Sequence, residues 1–161
     1  MDNLLDICVD LPRLAVPAGS CVVEQGRKIA SLFVLVDGEV AVERDGDEIA
    51  GVKTAGSIFG EVASLLDRPA VITARAKVDS VFLVAEDGPA YLGERPDVTI
   101  VVARVLAARL DTLSSYLDDV KHQYGHHSDH LGLLHEVLGT LMHAQPAVVR
   151  PGSVRMPETD Y

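Results

Sequence analysis

From Leu14 to Val84 the chain consists of short apolar runs broken by glycine and by Asp-Gly pairs. That pattern is the signature of antiparallel strands joined by tight turns. Val22 and Val23 follow Ala18-Gly19, and the run Leu32 to Val36 ends at Asp37-Gly38. Val40-Ala41-Val42 is separated from Ile49 by Arg44-Asp45-Gly46-Asp47, whose central pair suits a hairpin turn, and the runs Val71 to Ala76 and Val78 to Val84 close the series. Many closely spaced strands with little helical periodicity between them imply a sandwich or barrel.

After Pro89 the period changes. Leu106, Leu110, Leu113, Leu117, Val120 and Tyr124 recur at spacings of four and three, the seam of a two-stranded coiled coil. Asp111, Asp118, Asp119 and Lys121 fall off that seam, so its opposite face is wet. The stripe requires a partner surface, and a second copy of the chain is the expected one, with packing back onto the β domain as the alternative. Gly125 serves as a C-cap, and Ser128 with Asp129 opens a further helix carrying Leu131, Leu134, Leu138 and Leu141. Gly132 and Gly139 weaken that helix by roughly 1 kcal/mol each relative to alanine, so it needs a surface to lie on. Pro146, Pro151, Gly152 and Pro157 mark the remainder as an expected disordered tail.

With 161 residues and 48% apolar content, the chain has material for one domain plus a helical appendage. The start of the sequence carries no basic region followed by an apolar stretch, and no run approaches the roughly 18 apolar residues of a membrane span. The expected location is the cytoplasm, with no membrane association. A net charge of −10 opposes a phosphate backbone, so no nucleic-acid partner is expected. Cys8 and Cys21 lie in apolar surroundings without metal-type spacing and read as small, reduced, buried hydrophobes. His122, His126, His127 and His130 cluster near the helix junction. Gly125 interrupts that helix and no second shell can be named, so a solvated junction titrating near about pH 6.5 is expected there and not a metal site. No nucleophile, base and orienting group occur together, so no catalytic residue is assigned and the chain is not expected to be an enzyme.

Within the strand series lies Ala55-Gly56-Ser57-Ile58-Phe59-Gly60-Glu61-Val62-Ala63-Ser64-Leu65-Leu66-Asp67-Arg68-Pro69-Ala70-Val71-Ile72-Thr73-Ala74-Arg75-Ala76. It resembles the phosphate-binding cassette of the cyclic-nucleotide-binding domains, a Phe-Gly-Glu-Leu-Ala motif, a connector and then Pro-Arg-(Ser/Thr)-Ala-Thr. The likeness extends from about Leu14 to Tyr124. Leu32 to Val40 is similar to the family's strand-Gly-strand hairpin, and Glu94-Arg95-Pro96-Asp97 with Ala103 to Leu110 is similar to the dimer helix of its catabolite-activator branch. The resemblance implies a bacterial regulatory protein with an antiparallel β-roll or jelly-roll, mainly β with α, followed by a long dimerisation helix. The expected division is a β-roll over 1–97, a dimerisation helix over 98–125, a C-terminal helix over 126–144 and a disordered tail over 145–161.

The cassette's chemistry is legible in its residues. Gly60 permits close backbone approach, and a short helix beginning near Glu61 aims N–H groups at an anion. Glu61 can accept from a sugar hydroxyl, the role the resemblance assigns it with a ribose 2′-OH; the alternative is a carboxylate favoured by the helix dipole. Phe59, Gly60, Glu61, Val62, Ala63, Arg68, Ala70, Val71, Leu113 and Ser114 are the expected pocket positions.

Departures from the family pattern then decide the expectation. Ala70 stands where the family has the arginine that clamps the cyclic phosphate, and Val71 where a Ser or Thr hydroxyl helps. Leu113 and Ser114 stand where the catabolite-activator branch has a Thr-Ser pair that reads adenine. Burying one permanent negative charge without its cation costs about 3–5 kcal/mol, or roughly two to four decades of affinity. Arg68 is stiffened by Pro69 and, with Arg75, is expected in solvent. The cassette is therefore expected to be degenerate, with no cofactor, in an interaction module that signals through protein partners docking on the second helix or the β surface. The alternative is a genuine cAMP or cGMP receptor using Gly60, Glu61 and Arg68.

Overall fold

The computed structural model describes residues 3–124. Its elements are α1 (Leu4–Ile7), β1 (Arg13–Val16), β2 (Cys21–Val23), β3 (Leu32–Asp37), β4 (Val40–Arg44), β5 (Asp47–Val52), β6 (Ile58–Phe59), α2 (Glu61–Leu65), β7 (Thr73–Ala76), β8 (Ser80–Ala85), α3 (Gly88–Glu94) and α4 (Pro96–Tyr124). The strands form two four-stranded antiparallel sheets ordered β1-β8-β3-β6 and β2-β7-β4-β5. This is the antiparallel β-roll followed by a long helix that the family resemblance implies.

The Asp45-Gly46 turn is the clearest local cause. Arg44 pairs with Asp47 across a two-residue loop, and both loop residues have positive φ, 53° and 92°. Such a turn matches the twist of the flanking strands and favours Asp-Gly. Gln25 braces it through reciprocal amide bonds, its Nε2 donating to Asp45 Oδ1 at 2.8 Å and its Oε1 accepting from the Asp45 N–H at 2.9 Å.

Between the sheets, Phe82 meets Phe33 and Phe59 edge-on, each at 6.3 Å between ring centroids, a geometry the ring quadrupoles favour. Val16, Val23, Leu35, Val40, Ala74 and Ala76 complete this core with the cassette's Phe59, Ala63 and Ala70. β3 is buried on both faces: Phe33 and Leu35 enter the core, while Leu32 and Val34 are buried on the alternate side. A strand covered twice reads as a continuous apolar run, which Leu32 to Val36 is.

α1 and α3 go beyond the strands and helices expected from periodicity. Both are short and capped, α1 by Asn3, whose Oδ1 accepts from the Leu5 N–H, and α3 by Asp87, whose Oδ1 accepts from the Ala90 N–H. α4 begins at Pro96, two residues before the expected 98, because proline is well suited to a first helical turn. β7 begins at Thr73, not Val71. Cys8 is buried as expected, but Cys21 is exposed, its position on β2 facing outward.

The chain divides into two compact units, residues 1–104 and the residues from Val105 onward. In the second unit the described helix leaves Leu110 and Leu113 exposed and Leu106, Leu117 and Val120 half-buried. The expected helix over 126–144, its histidines and the tail over 145–161 lie outside the described residues. Among the described residues no helix is long and apolar enough to cross a membrane, and no group of His, Cys, Asp and Glu could hold a metal ion.

Candidate functional site

The cassette starts on β6, where Phe59 pairs with Phe33 and its ring enters the core. Gly60 then adopts φ 87° and leads into α2. A Cβ built there would lie 2.6 Å from the Ser31 carbonyl oxygen and 3.0 Å from Ile29 Cδ1. The glycine is thus required by the approach of the chain's own 29–31 segment, in addition to its left-handed conformation.

On α2, Glu61, Ala63 and Ser64 are buried, and the Ser64 hydroxyl donates to the Ala30 carbonyl at 3.0 Å. Glu61 lies in the first helical turn, where the helix dipole favours a carboxylate. Val62 faces outward, exposed. At the other end Asp67 has φ 47°, and the Arg68 N–H donates to the Ala63 carbonyl at 3.1 Å. That bond closes the helix in the manner of a Schellman cap, so the Arg68 backbone is fixed at the end of α2 remote from Gly60. Arg68 is half-buried, and its Nε is enclosed without a hydrogen-bond partner. The expectation that it lies in solvent is corrected accordingly: the cap draws the start of its side chain against the protein.

Ala70 is the residue that the resemblance sets at the clamp position. Its N–H donates to the Arg27 carbonyl at 2.9 Å and its carbonyl accepts from the Gly26 N–H at 2.7 Å. The residue is 6% exposed and belongs to the hydrophobic core with Phe59 and Ala63. Val71 is partly exposed, and Thr73, buried, accepts the Gln25 N–H on its hydroxyl at 3.0 Å. The neighbouring cations are engaged by acids: Arg27 with Glu24 at 3.1 Å and Lys28 with Asp67 at 3.2 Å.

Arg75 keeps 41% of its side chain exposed, as expected of a solvated residue, and is also paired. It donates to Glu43 from Nε at 3.1 Å and to the Gly19 carbonyl at 2.9 Å, because β7 and β4 pair Arg75 directly with Ala41, two strand positions from Glu43 and therefore on the same face of the sheet. Phe59 to Val71 are therefore brought together in the first unit. Leu113 and Ser114 lie on α4 in the second, Leu113 exposed and the Ser114 hydroxyl enclosed without a partner.

A cluster that periodicity did not reveal joins the start of the chain to the α3–α4 elbow. Arg95 donates to the Ile7 carbonyl at 2.6 Å, to Asp10 at 2.7 Å and to both Asp97 oxygens at 3.0 and 2.8 Å, and its guanidinium lies 5.6 Å from the Tyr91 ring centroid. The Tyr91 hydroxyl donates to Asp10 at 3.0 Å. Hydrogen bonding from Arg95 holds both the Asp10 and Asp97 carboxyls below the usual Asp range, and burial raises the Cys8 thiol beside Tyr91. The one available sequence signal was Arg95-Pro96-Asp97, a cation between two helices with an acid next to it.

Residues 13–88 match the family model of the cyclic nucleotide-binding domain. No curated protein matches the chain. Among solved structures, it is similar to the catabolite activator protein of Thermus thermophilus, with 28% identity and a TM-score of 0.60 over 73% of this chain and 58% of that one. It is also similar to the N-terminal domain of a transcriptional regulator from Streptomyces coelicolor A3(2), with 25% identity and a TM-score of 0.51 over 69% of this chain and 81% of that one. A cyclic nucleotide-binding domain from Methylobacillus flagellatus, 20% identical over 75% of this chain and 80% of its own, has the same fold at a TM-score of 0.52.

Proposed function

Because residues 13–88 form a β-roll of the cyclic-nucleotide-binding type, we propose that the chain is a non-enzymatic regulatory module whose cassette does not hold cAMP or cGMP with useful affinity. The observation that carries this reading is Ala70, a methyl group turned into the hydrophobic core at the position where the family pattern has its phosphate-clamping arginine. A cyclic phosphate brought to this cassette would give up water without gaining a cation from that position.

The rival reading gives the phosphate to Gly60, Glu61 and Arg68. It is disfavoured because the Arg68 backbone is anchored at the far end of α2 and its Nε is enclosed. In this proposal the module acts as a homodimer through Leu106, Leu110, Leu113, Leu117, Val120 and Tyr124, and signals through protein partners.

Titration calorimetry of the full chain with cAMP and cGMP up to about millimolar concentration is expected to give no heat of specific binding, which corresponds to Kd beyond the millimolar range. A micromolar isotherm would refute the proposal. Ala70→Arg with Val71→Ser restores the missing donors and is expected to raise cAMP affinity by roughly two to four decades.

A further inference from the structure

The chain has three Asp-Gly pairs, Asp37-Gly38, Asp45-Gly46 and Asp87-Gly88. In such a pair the glycine's backbone nitrogen can attack the carboxyl carbon of the residue before it. Glycine has no side chain to obstruct the approach, and the reacting groups are neighbours in the chain. The fold gives the three pairs unequal access to this chemistry.

At Asp87-Gly88 the nitrogen is engaged and the space is filled. The Gly88 N–H donates to the Ala30 carbonyl at 2.8 Å, a Cβ built there would lie 2.5 Å from Leu32 Cγ, and the Asp87 carboxylate accepts from the Ala90 N–H. At Asp37-Gly38 the glycine is pressed against the buried Ser80. Asp45-Gly46 is different. Both of its residues are exposed, and nothing lies within 4 Å of the place a Gly46 Cβ would take. The aspartate is held by Gln25, which donates to its carboxylate and accepts its N–H. Gln25 is anchored in turn, its own N–H donating to the buried Thr73 hydroxyl at 3.0 Å.

We infer that Asp45-Gly46 is the chain's site of spontaneous isoaspartate formation and that Gln25 restrains the reaction. The Gly46 nitrogen bonds to Cγ of the protonated Asp45 carboxyl, and the N–H proton and the carboxyl hydroxyl leave as water. A five-membered succinimide results. Water then adds to its main-chain carbonyl carbon and the bond from that carbon to the Gly46 nitrogen breaks, so the chain runs on through Cγ. One water is released and one is taken up, and no other reactant is needed. For the ring to close, the carboxyl must turn from Gln25 toward Gly46, which breaks the bond that Gln25 makes to it. The product places an extra methylene in a loop whose two residues match the twist of β4 and β5, and the Arg44–Asp47 pairing opens.

The test incubates the full chain at neutral pH and maps its peptides with electron-transfer fragmentation, which tells aspartate from isoaspartate at equal mass. Isoaspartate is expected at position 45 ahead of positions 37 and 87. Gln25→Ala removes both bonds and should speed formation at position 45 by about fivefold or more, with positions 37 and 87 unchanged. Asp45→Asn supplies a second reading, since asparagine also suits this turn and the same attack then releases ammonia and leaves a heavier chain. Gln25→Ala should accelerate that step as well.

Equal rates at the three pairs would overturn the inference, as would a rate at position 45 that Gln25→Ala moves in neither chain. A rise at all three pairs in Gln25→Ala would trace the effect to a loosened fold and overturn the role given to Gln25.

Discussion

Arg95 gathers acceptors from the end of α1, the α1–β1 connection and the first turn of α4. Because it donates to the ionised forms of Asp10 and Asp97, both carboxyls titrate below the ordinary Asp value of 3.8. A carboxyl depressed in the folded state contributes stability that is present above its unfolded pKa and lost as pH falls through the folded value. Arg95→Met is therefore expected to lower the melting temperature at pH 7, with a deficit that shrinks below about pH 4 as the native chain loses the same bonds. An equal deficit at both pH values, read by circular dichroism, would mean that Arg95 acts through packing alone. Cys8 is buried in the same cluster with its thiol pushed up, which makes it a poor nucleophile.

At the scale of elements, the start of α2 depends on Gly60. A side chain at φ 87° is strained, and its Cβ would meet the Ser31 carbonyl at 2.6 Å, a backbone atom that cannot swing aside. Gly60→Ala is expected to cost about 2 kcal/mol or more, measured by urea denaturation; a loss below about 0.5 kcal/mol would mean that the 29–31 segment moves freely. The glycine was legible as a site of close approach, but a sequence cannot say whether a ligand or the chain itself approaches. The Asp45-Gly46 hairpin was fully legible, since a two-residue turn is decided by the residues within it. α1 and α3 are too short for periodicity to register, and they exist because caps and burial against the roll offset their weak propensity.

For the whole molecule, the open question is what covers the α4 stripe. Leu113 is 49% exposed in the single chain, and a helix that leaves leucines in water at coiled-coil spacing is expected to pair. Leu113→Glu, placed on the proposed seam, should convert a dimer to a monomer in analytical ultracentrifugation; a native chain that sediments as a monomer at all concentrations would dispose of the seam. Arg68 and Arg75 were both read as solvated: Arg68, at the helix cap on Ala63, is half-buried, while the β4–β7 ladder sets Arg75, still 41% exposed, beside Glu43.

The sequence by itself determined the strand series, the tight turns and the start of α2, because each follows from the conformational preference of residues adjacent in the chain. Only the tertiary structure decided that Ala70 belongs to the core, that Gly60 makes room for Ser31, and that Arg95 ties the start of the chain to the α3–α4 elbow. Those contacts join residues tens of positions apart, and no local preference encodes which side chains the folding of two sheets will bring face to face.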